Sequence, residues 1–491
     1  MTYQQKGSSA PPGPPGPPPV STLPAVPPQA PPPGPPVRPA APDAATPPRR
    51  TAWAEGVDRL RAAATTEPGR LRIIGAALAF LVIVFGAVTA WQMTERSAAA
   101  DDVLHSSQPL SADAADIYRS LAAANTAASS GFLAGGQETA ESRKRYEENI
   151  SLAADKLVTA ATNSEPGSPS EKTITKLNTL LPEYKGLVER ARANNRQGFP
   201  LGGAYLRYAN AKMQVMLGDA EDLYKVENQQ LRSDYDNATP YPWIAIGVGV
   251  VAIGGLGWAQ RRNYRRTNRV LNQGLVAATA ASTVVLLWLV VGHSVARAGL
   301  NESYDDAVRS LNTLNDARIA SLKARGNENL TLVARGAETK EVGTGENKQV
   351  VDVFDSDYEL QMKELTAKLG AAENLADNDS AGVKPVEAAA ANMKVWKERH
   401  KEARAQDNAG NYQGALDKVI GAKVDKPTGE CFDNVDKALQ TAIGHESAQF
   451  KQAAGDGRSA MNGLAVGAAV LAVLAAAGAV LGIGRRLSEY R

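Results

Sequence analysis

The sequence predicts an all-α fold: four transmembrane helices, two tandem extracellular up-down four-helix bundles and a disordered Pro-rich N-terminus. Three observations carry that reading. Four long apolar runs contain no Asp, Glu, Lys or Arg. The segments between them show apolar residues at 3–4 residue steps, the spacing of amphipathic helices. Aromatic residues make up only 5% and alanine is abundant, which favours helices over sheets.

The chain has 491 residues, and 19 of its 29 prolines fall within residues 1–48. The runs PPGPPGPPP and PPPGPP lack a strict Gly-X-Y period, so collagen is rejected. Residues 1–50 are expected to be a disordered, partly polyproline II cytoplasmic tail. Residues 51–72 form a juxtamembrane segment. The first span, 73–92, contains the 19-residue run IIGAALAFLVIVFGAVTAW. At 1.5 Å per residue it covers about 28 Å, roughly one hydrocarbon core. A cleavable signal peptide is rejected, because about 70 residues precede the run and the run is too long.

The other spans are 241–259, 270–292 and 461–484. Arg residues fix their orientation. Arg70 and Arg72 precede the first span. Arg261, Arg262, Arg265, Arg266 and Arg269 crowd the ten-residue loop 260–269, and Arg485, Arg486 and Arg491 follow the last span. The positive-inside rule makes these segments cytoplasmic. They hold 16 basic against 5 acidic residues, net +11, whereas the two long segments, 93–240 and 293–460, hold 38 against 47, net −9. The overall charge of +2 is the remainder of that split.

Within 93–240, Tyr146, Ile150, Ala153, Leu157 and Ala160 form one stripe, and Leu177, Leu180, Tyr184, Leu187 and Ala191 another. Breaks at Gly135-Gly136, 163–169 and 198–203 divide the segment into helices near 110–134, 137–161, 170–196 and 201–238. Pro109 should start the first of them and leave a stalk above the span. Segment 293–460 repeats the plan, with helices near 296–335, 351–376, 385–408 and 411–458. Its loop 341–348 is longer, and KVDKPTGE (423–430) should break its last helix. Tyr184 and Trp396 hold matching places in the third helices of the two segments and are read as core. The layout reads as a tandem duplication of span, bundle and span.

Function classes are narrowed by what is missing. The single cysteine, Cys431, excludes an intrachain disulfide and a Cys-rich zinc site. No H-E-x-x-H pair, nucleophile elbow or phosphate loop is present, so the chain is not expected to be an enzyme or to hold a cofactor or metal. The spans lack the mid-membrane ionisable groups of ion-coupled transporters. Their glycines (Gly247, Gly249, Gly254, Gly255, Gly257) are expected to let spans two and four pack closely.

A helical bundle set between two membrane helices resembles the sensor domains of chemoreceptors and sensor kinases. The stretch Tyr184 to Arg207, ending ARANNRQGFPLGGAYLR, followed by Met213 and Leu223-Tyr224, is similar to actinobacterial GlnX-type membrane proteins. The duplicated layout, Arg-rich central loop and Pro-rich N-terminus add to that likeness. The resemblance implies a four-pass protein of the plasma membrane that couples an external glutamine-binding-type lipoprotein to a cytoplasmic Ser/Thr kinase.

The expected function is therefore a transmembrane sensor relaying an external cue to a separate cytoplasmic effector. The alternatives are a structural scaffold of the cell envelope or a transporter-associated subunit. Arg192, Arg196, Tyr205 and Arg207 at the far end of the first bundle, with Arg399 and Arg404 in the second, are candidates for ligand or partner contact, because arginine pairs bidentately with carboxylates. Arg261, Arg262, Arg265, Arg266 and Arg269 are candidates for contact with a cytoplasmic partner or anionic lipid. His400 and His445 are isolated histidines, read as ordinary helix residues rather than pH or metal sensors. Nucleic acid is not an expected partner.

Overall fold

Alternating apolar stripes and capping residues translate into a chain of long helices in the computed structural model, which describes residues 65–135, 138–267, 272–343, 348–376, 379–421 and 426–488. The N-terminal tail, most of the juxtamembrane segment, Arg269 and the last three residues lie outside these. In order, the helices are α1 (Glu67–Asp102), α2 (Gln108–Leu133), α3 (Ala140–Asn163), α4 (Pro169–Arg196), α5 (Leu201–Ala238) and α6 (Trp243–Thr267). They continue with α7 (Gln273–Glu302), α8 (Arg309–Ala334), α9 (Val353–Leu375), α10 (Ser380–Asn408), α11 (Tyr412–Ile420), α12 (Thr428–Met461) and α13 (Leu464–Ser488). Side-chain oxygens of Thr139, Ser168, Asp352 and Asp379 accept first-turn N–H groups and set the starts of α3, α4, α9 and α10.

Helices α2 to α5 close one four-helix bundle, and α8, α9, α10 and α12 close a second in the same cyclic order. The second carries two additions. Helix α11 is inserted before α12, and an antiparallel hairpin, β1 (Thr339–Val342) and β2 (Gln349–Asp352), replaces the plain loop expected at 341–348. The two bundles do not keep separate cores. Helices α2 and α8 pack against each other, and one hydrophobic cluster runs from Leu157 and Tyr184 in the first bundle to Leu365 and Trp396 in the second.

Four helices are long and apolar enough to cross a membrane: α1, α6, α7 and α13. The chain is thus a multi-pass membrane protein. Each spanning helix packs chiefly against two others, in the cyclic order α1, α6, α7, α13. Spans two and four are therefore diagonal rather than closely packed neighbours. Gly247, Gly254 and Gly257 of α6 have open space where a side chain would go. The close packing belongs instead to α13 against α1 and α7. A Cβ on Gly86 would lie 2.1 Å from that of Ala472, and one on Gly274 would lie 2.3 Å from the Gly478 carbonyl. The sequence shows small residues on all these helices, and only packing selects which of them face a neighbour.

The stalk expected before Pro109 is not extended chain. Helix α1 passes through a π-helical turn, 103–107, directly into α2. The widened turn bonds the Gln108 N–H to the Val103 carbonyl, five residues back, and makes room for Pro109, whose ring would crowd a regular turn. Helix α7 does the same through 303–308 into α8, without a proline. The π turn therefore belongs to this place in the fold and not to Pro109 alone. Beside it Tyr235 and Ser303 share a hydrogen bond of 2.6 Å, and Val103, Leu300, Val308 and Phe450 form a cluster that joins bundles to spans.

The returning helices are interrupted. Pro240 and Pro242 stop α5 short of α6. Arg96 donates to the freed Pro240 carbonyl at 2.9 Å, and Gln92 Oε1 accepts the Ala245 N–H at 3.0 Å. Gly463, at φ +75°, turns α12 into α13.

Candidate functional site

The bundle interface is built from small and polar residues. On α2, Thr126 donates to the Leu322 carbonyl of α8 at 2.8 Å, and Asn329 of α8 donates to Ser129 and Ser130 at 3.1 and 2.8 Å. Gly326 lies against Thr126, whose hydroxyl would be 3.4 Å from a Cβ there. Tyr224 of α5 donates to Asn312 at 2.8 Å. Hydrogen bonds of this kind fix the register of helices that also share one apolar cluster.

Next to this seam, α2, α5, α8 and α9 part to enclose a cavity of about 660 Å³. The first bundle lines it with Asn125, Asn210 and Gln214, joined as amides: Asn125 and Gln214 both donate to Asn210 Oδ1, at 2.8 and 3.3 Å. The second bundle contributes Lys323, Asn327, Asp357 and Gln361. Arg207 and Glu338 pair across the rim at 3.1 Å, and Asp357 is held by Lys340 at 2.6 Å. Its volume is in the range of small-molecule sites.

A second polar centre is sealed inside the second bundle. Glu328 is fully buried, and its carboxylate accepts from Arg325 at 2.5 Å, from the Trp396 indole at 3.2 Å and from His400 Nδ1 at 2.9 Å. His400 reaches Asp355 at 3.4 Å on its other nitrogen and stacks on Tyr358 at 3.6 Å. Arg325 also donates to Thr428 at 2.8 Å. Burial would raise the Glu328 pKa, but Arg325 and His400 outweigh it and hold the carboxylate below its ordinary range. Burial likewise opposes charge on His400, yet the bonds to Asp355 and Glu328 hold its pKa above the ordinary value. The network ties α8, α9, α10 and α12 together.

The arginines singled out from sequence are dispersed. Arg192 is buried, paired with Glu138 at 3.1 Å and Glu189 at 3.0 Å, and stacked over the Tyr146 ring at 4.2 Å. Its guanidinium serves the first bundle internally, so it offers no surface for a partner. Replacing it with Met should destabilise the bundle by about 1–3 kcal/mol, because Glu138 keeps a partly buried charge without its partner. Thermal melting of the variant checks this. Arg196 is exposed in the last turn of α4, and Tyr205 is half-buried against the shared core.

Only Arg207 reaches the cavity. Arg399 pairs with Glu402 at 3.2 Å, and Arg404 bridges Asp355 at 2.9 Å and Asp407 at 2.5 Å. Arg261 and Arg265 are exposed at the end of α6, and Arg262 stacks on Trp258 at 5.5 Å. Arg266 falls in that helix, and Arg269 lies outside the described residues.

Sequence reasoning missed Lys323, Arg325, Glu328 and Asn329, all on α8. That helix is buried on nearly every side although it is polar, so it carries no stripe to read. A signal was present: four charged residues, Arg318, Lys323, Arg325 and Glu328, interspersed with small ones within 318–328.

No curated protein and no solved structure gives a significant match to the chain. A family model does match: residues 99–236, from the end of α1 through most of α5 and thus the first bundle, align with the actinobacterial sensor domain. With the four membrane-length helices, that match supports an actinobacterial sensor protein.

Proposed function

We propose that the chain is a non-enzymatic transmembrane sensor. Its bundles stand outside the plasma membrane, and both termini and the Arg-rich loop 260–269 face the cytoplasm. The cue is a small solute such as an amino acid, met directly or on a solute-binding lipoprotein. The output goes to a separate effector such as a Ser/Thr kinase, recruited at the inner surface. The observation that carries this reading is helical continuity. Helices α2 and α8, which meet at the bundle seam and line the cavity, run through matched π turns into spans one and three.

A tandem duplication explains the match between halves: α2 and α8 are both 26 residues long, each directly after a π turn. One chain then supplies both halves of a receptor pair. A ligand that favours one spacing of α2 and α8 shifts the spans by its difference in affinity for the two states.

The test is a pull-down with the full chain and with a chain lacking residues 260–269. The sensor reading expects a solute-binding protein with both and a kinase only with the intact loop. Recovery of envelope components instead, with neither of those partners, would favour a scaffold and overturn the sensor.

A further inference from the structure

The cavity between the bundles holds two polar groups that the protein leaves incomplete. The first is Lys323. Its ammonium donates to the Tyr118 hydroxyl at 2.7 Å, and among the described residues no carboxylate comes within salt-bridge distance of it. Of the nearby acids, Glu221 is paired with Lys225 at 2.6 Å and Asp316 with Lys368 at 2.6 Å, and Glu364 favours the charge on Lys323 without coming within ion-pair distance of it. Burial pulls the Lys323 pKa below the ordinary lysine range, the mark of a desolvated ammonium that its surroundings do not fully compensate. The second is Gln361, whose Oε1 is buried without a hydrogen-bond donor. Both residues line the same cavity, opposite the amides of Asn125 and Asn210. The other charged groups there, Arg207, Glu338 and Asp357, already have partners.

We infer that this cavity binds a small carboxylate that also carries an N–H or O–H donor. The carboxylate takes the Lys323 ammonium, the donor satisfies Gln361, and the amides of the first bundle complete the other wall. An anion on Lys323 restores the charge balance that burial upsets. A neutral solute leaves that ammonium as it is, and a simple cation adds like charge to it. A ligand of this class touches both bundles at once, so its presence favours one spacing of α2 and α8. That consequence rests on the sensor reading, whereas the binding itself does not.

The probes are succinamate, which has both features, succinamide, which lacks the anion, and acetate, which lacks the donor. Binding to the full chain in nanodiscs is followed by ligand-observed NMR and by thermal melting. Succinamate is expected to bind saturably and at least tenfold more tightly than either relative. Lys323→Met should lose at least tenfold in succinamate affinity, and Gln361→Ala at least threefold. Melting without ligand shows that each variant is folded. Equal binding of succinamate and succinamide, no binding of any probe, or full affinity in a folded Lys323→Met chain overturns the assignment. A chain that captures its effector but binds no carboxylate sinks the ligand alone. One that binds succinamate through Lys323 but captures no effector sinks the sensor alone.

Discussion

Glu328→Ala is expected to cost about 3–5 kcal/mol of stability, because it removes one member of a buried ionic network and strands the others. Arg325 and His400 are both buried and both point at this carboxylate. Without it, the guanidinium keeps Thr428 and the Val419 carbonyl as partners but no counter-charge, and the Trp396 indole loses its acceptor. Glu328→Gln keeps the volume and one acceptor, so it should cost less. Thermal melting of the intact chain in detergent would order the three proteins, and equal stability of Glu328→Ala and the parent would refute the role given to the network.

The same network sets a pH dependence. His400 faces Glu328 and Asp355, lies on the Tyr358 ring and has Arg325 and Arg404 close by on those acids. Its folded pKa lies above the ordinary 6.5. The stabilisation from protonated His400 is therefore complete below about pH 6.5 and disappears as pH rises through the folded value. Melting temperature should fall across that range, and His400→Gln should flatten the fall.

Gly274→Leu is expected to separate α7 from α13, at a cost of about 1–3 kcal/mol or more. Here the obstacle is backbone. A Cβ at Gly274 would meet the Gly478 carbonyl at 2.3 Å and the Gly482 Cα at 2.6 Å, so no rotamer change relieves the clash. The Asn272 side chain, which caps α7 and donates to the Gly482 carbonyl at 2.8 Å, would lose its partner as the helices part. Gly247→Leu is the control, because nothing lies within 4 Å of its Cβ position. It should leave stability nearly unchanged. Melting both variants in nanodiscs decides the point, since Gly247 and Gly274 look alike in sequence but only Gly274 abuts the backbone of α13.

Much of the fold was legible beforehand. The helices of the first bundle follow stripes such as Tyr146, Ile150, Ala153 and Leu157, all buried as their spacing requires. Tyr184 and Trp396 are fully buried core residues. The site was much less legible. Among the five arginines and one tyrosine proposed for the bundles, Arg207 alone lines the cavity, and Arg192 is spent on holding its own bundle together. His400, read as an ordinary helix position, belongs to the buried charge network. A charged residue on a helix looks solvated until a partner from a distant segment is brought beside it. Glu328 and His400 are 72 residues apart in the chain, and Lys323 and Tyr118 are 205 apart.

By itself, the sequence determined the helical class, the four membrane-length helices and the approximate bounds of the helices in the first bundle. Those follow from local properties: uncharged length, 3–4 residue periodicity, and Gly and Pro at breaks. Only the tertiary structure decided that the two bundles share one core, that α13 rather than α6 is the close-packed span, and that an incompletely paired lysine faces a cavity between the bundles. These depend on which faces meet. Helix α8 is covered on nearly all sides and shows no periodic face, so no local pattern could announce what would surround it.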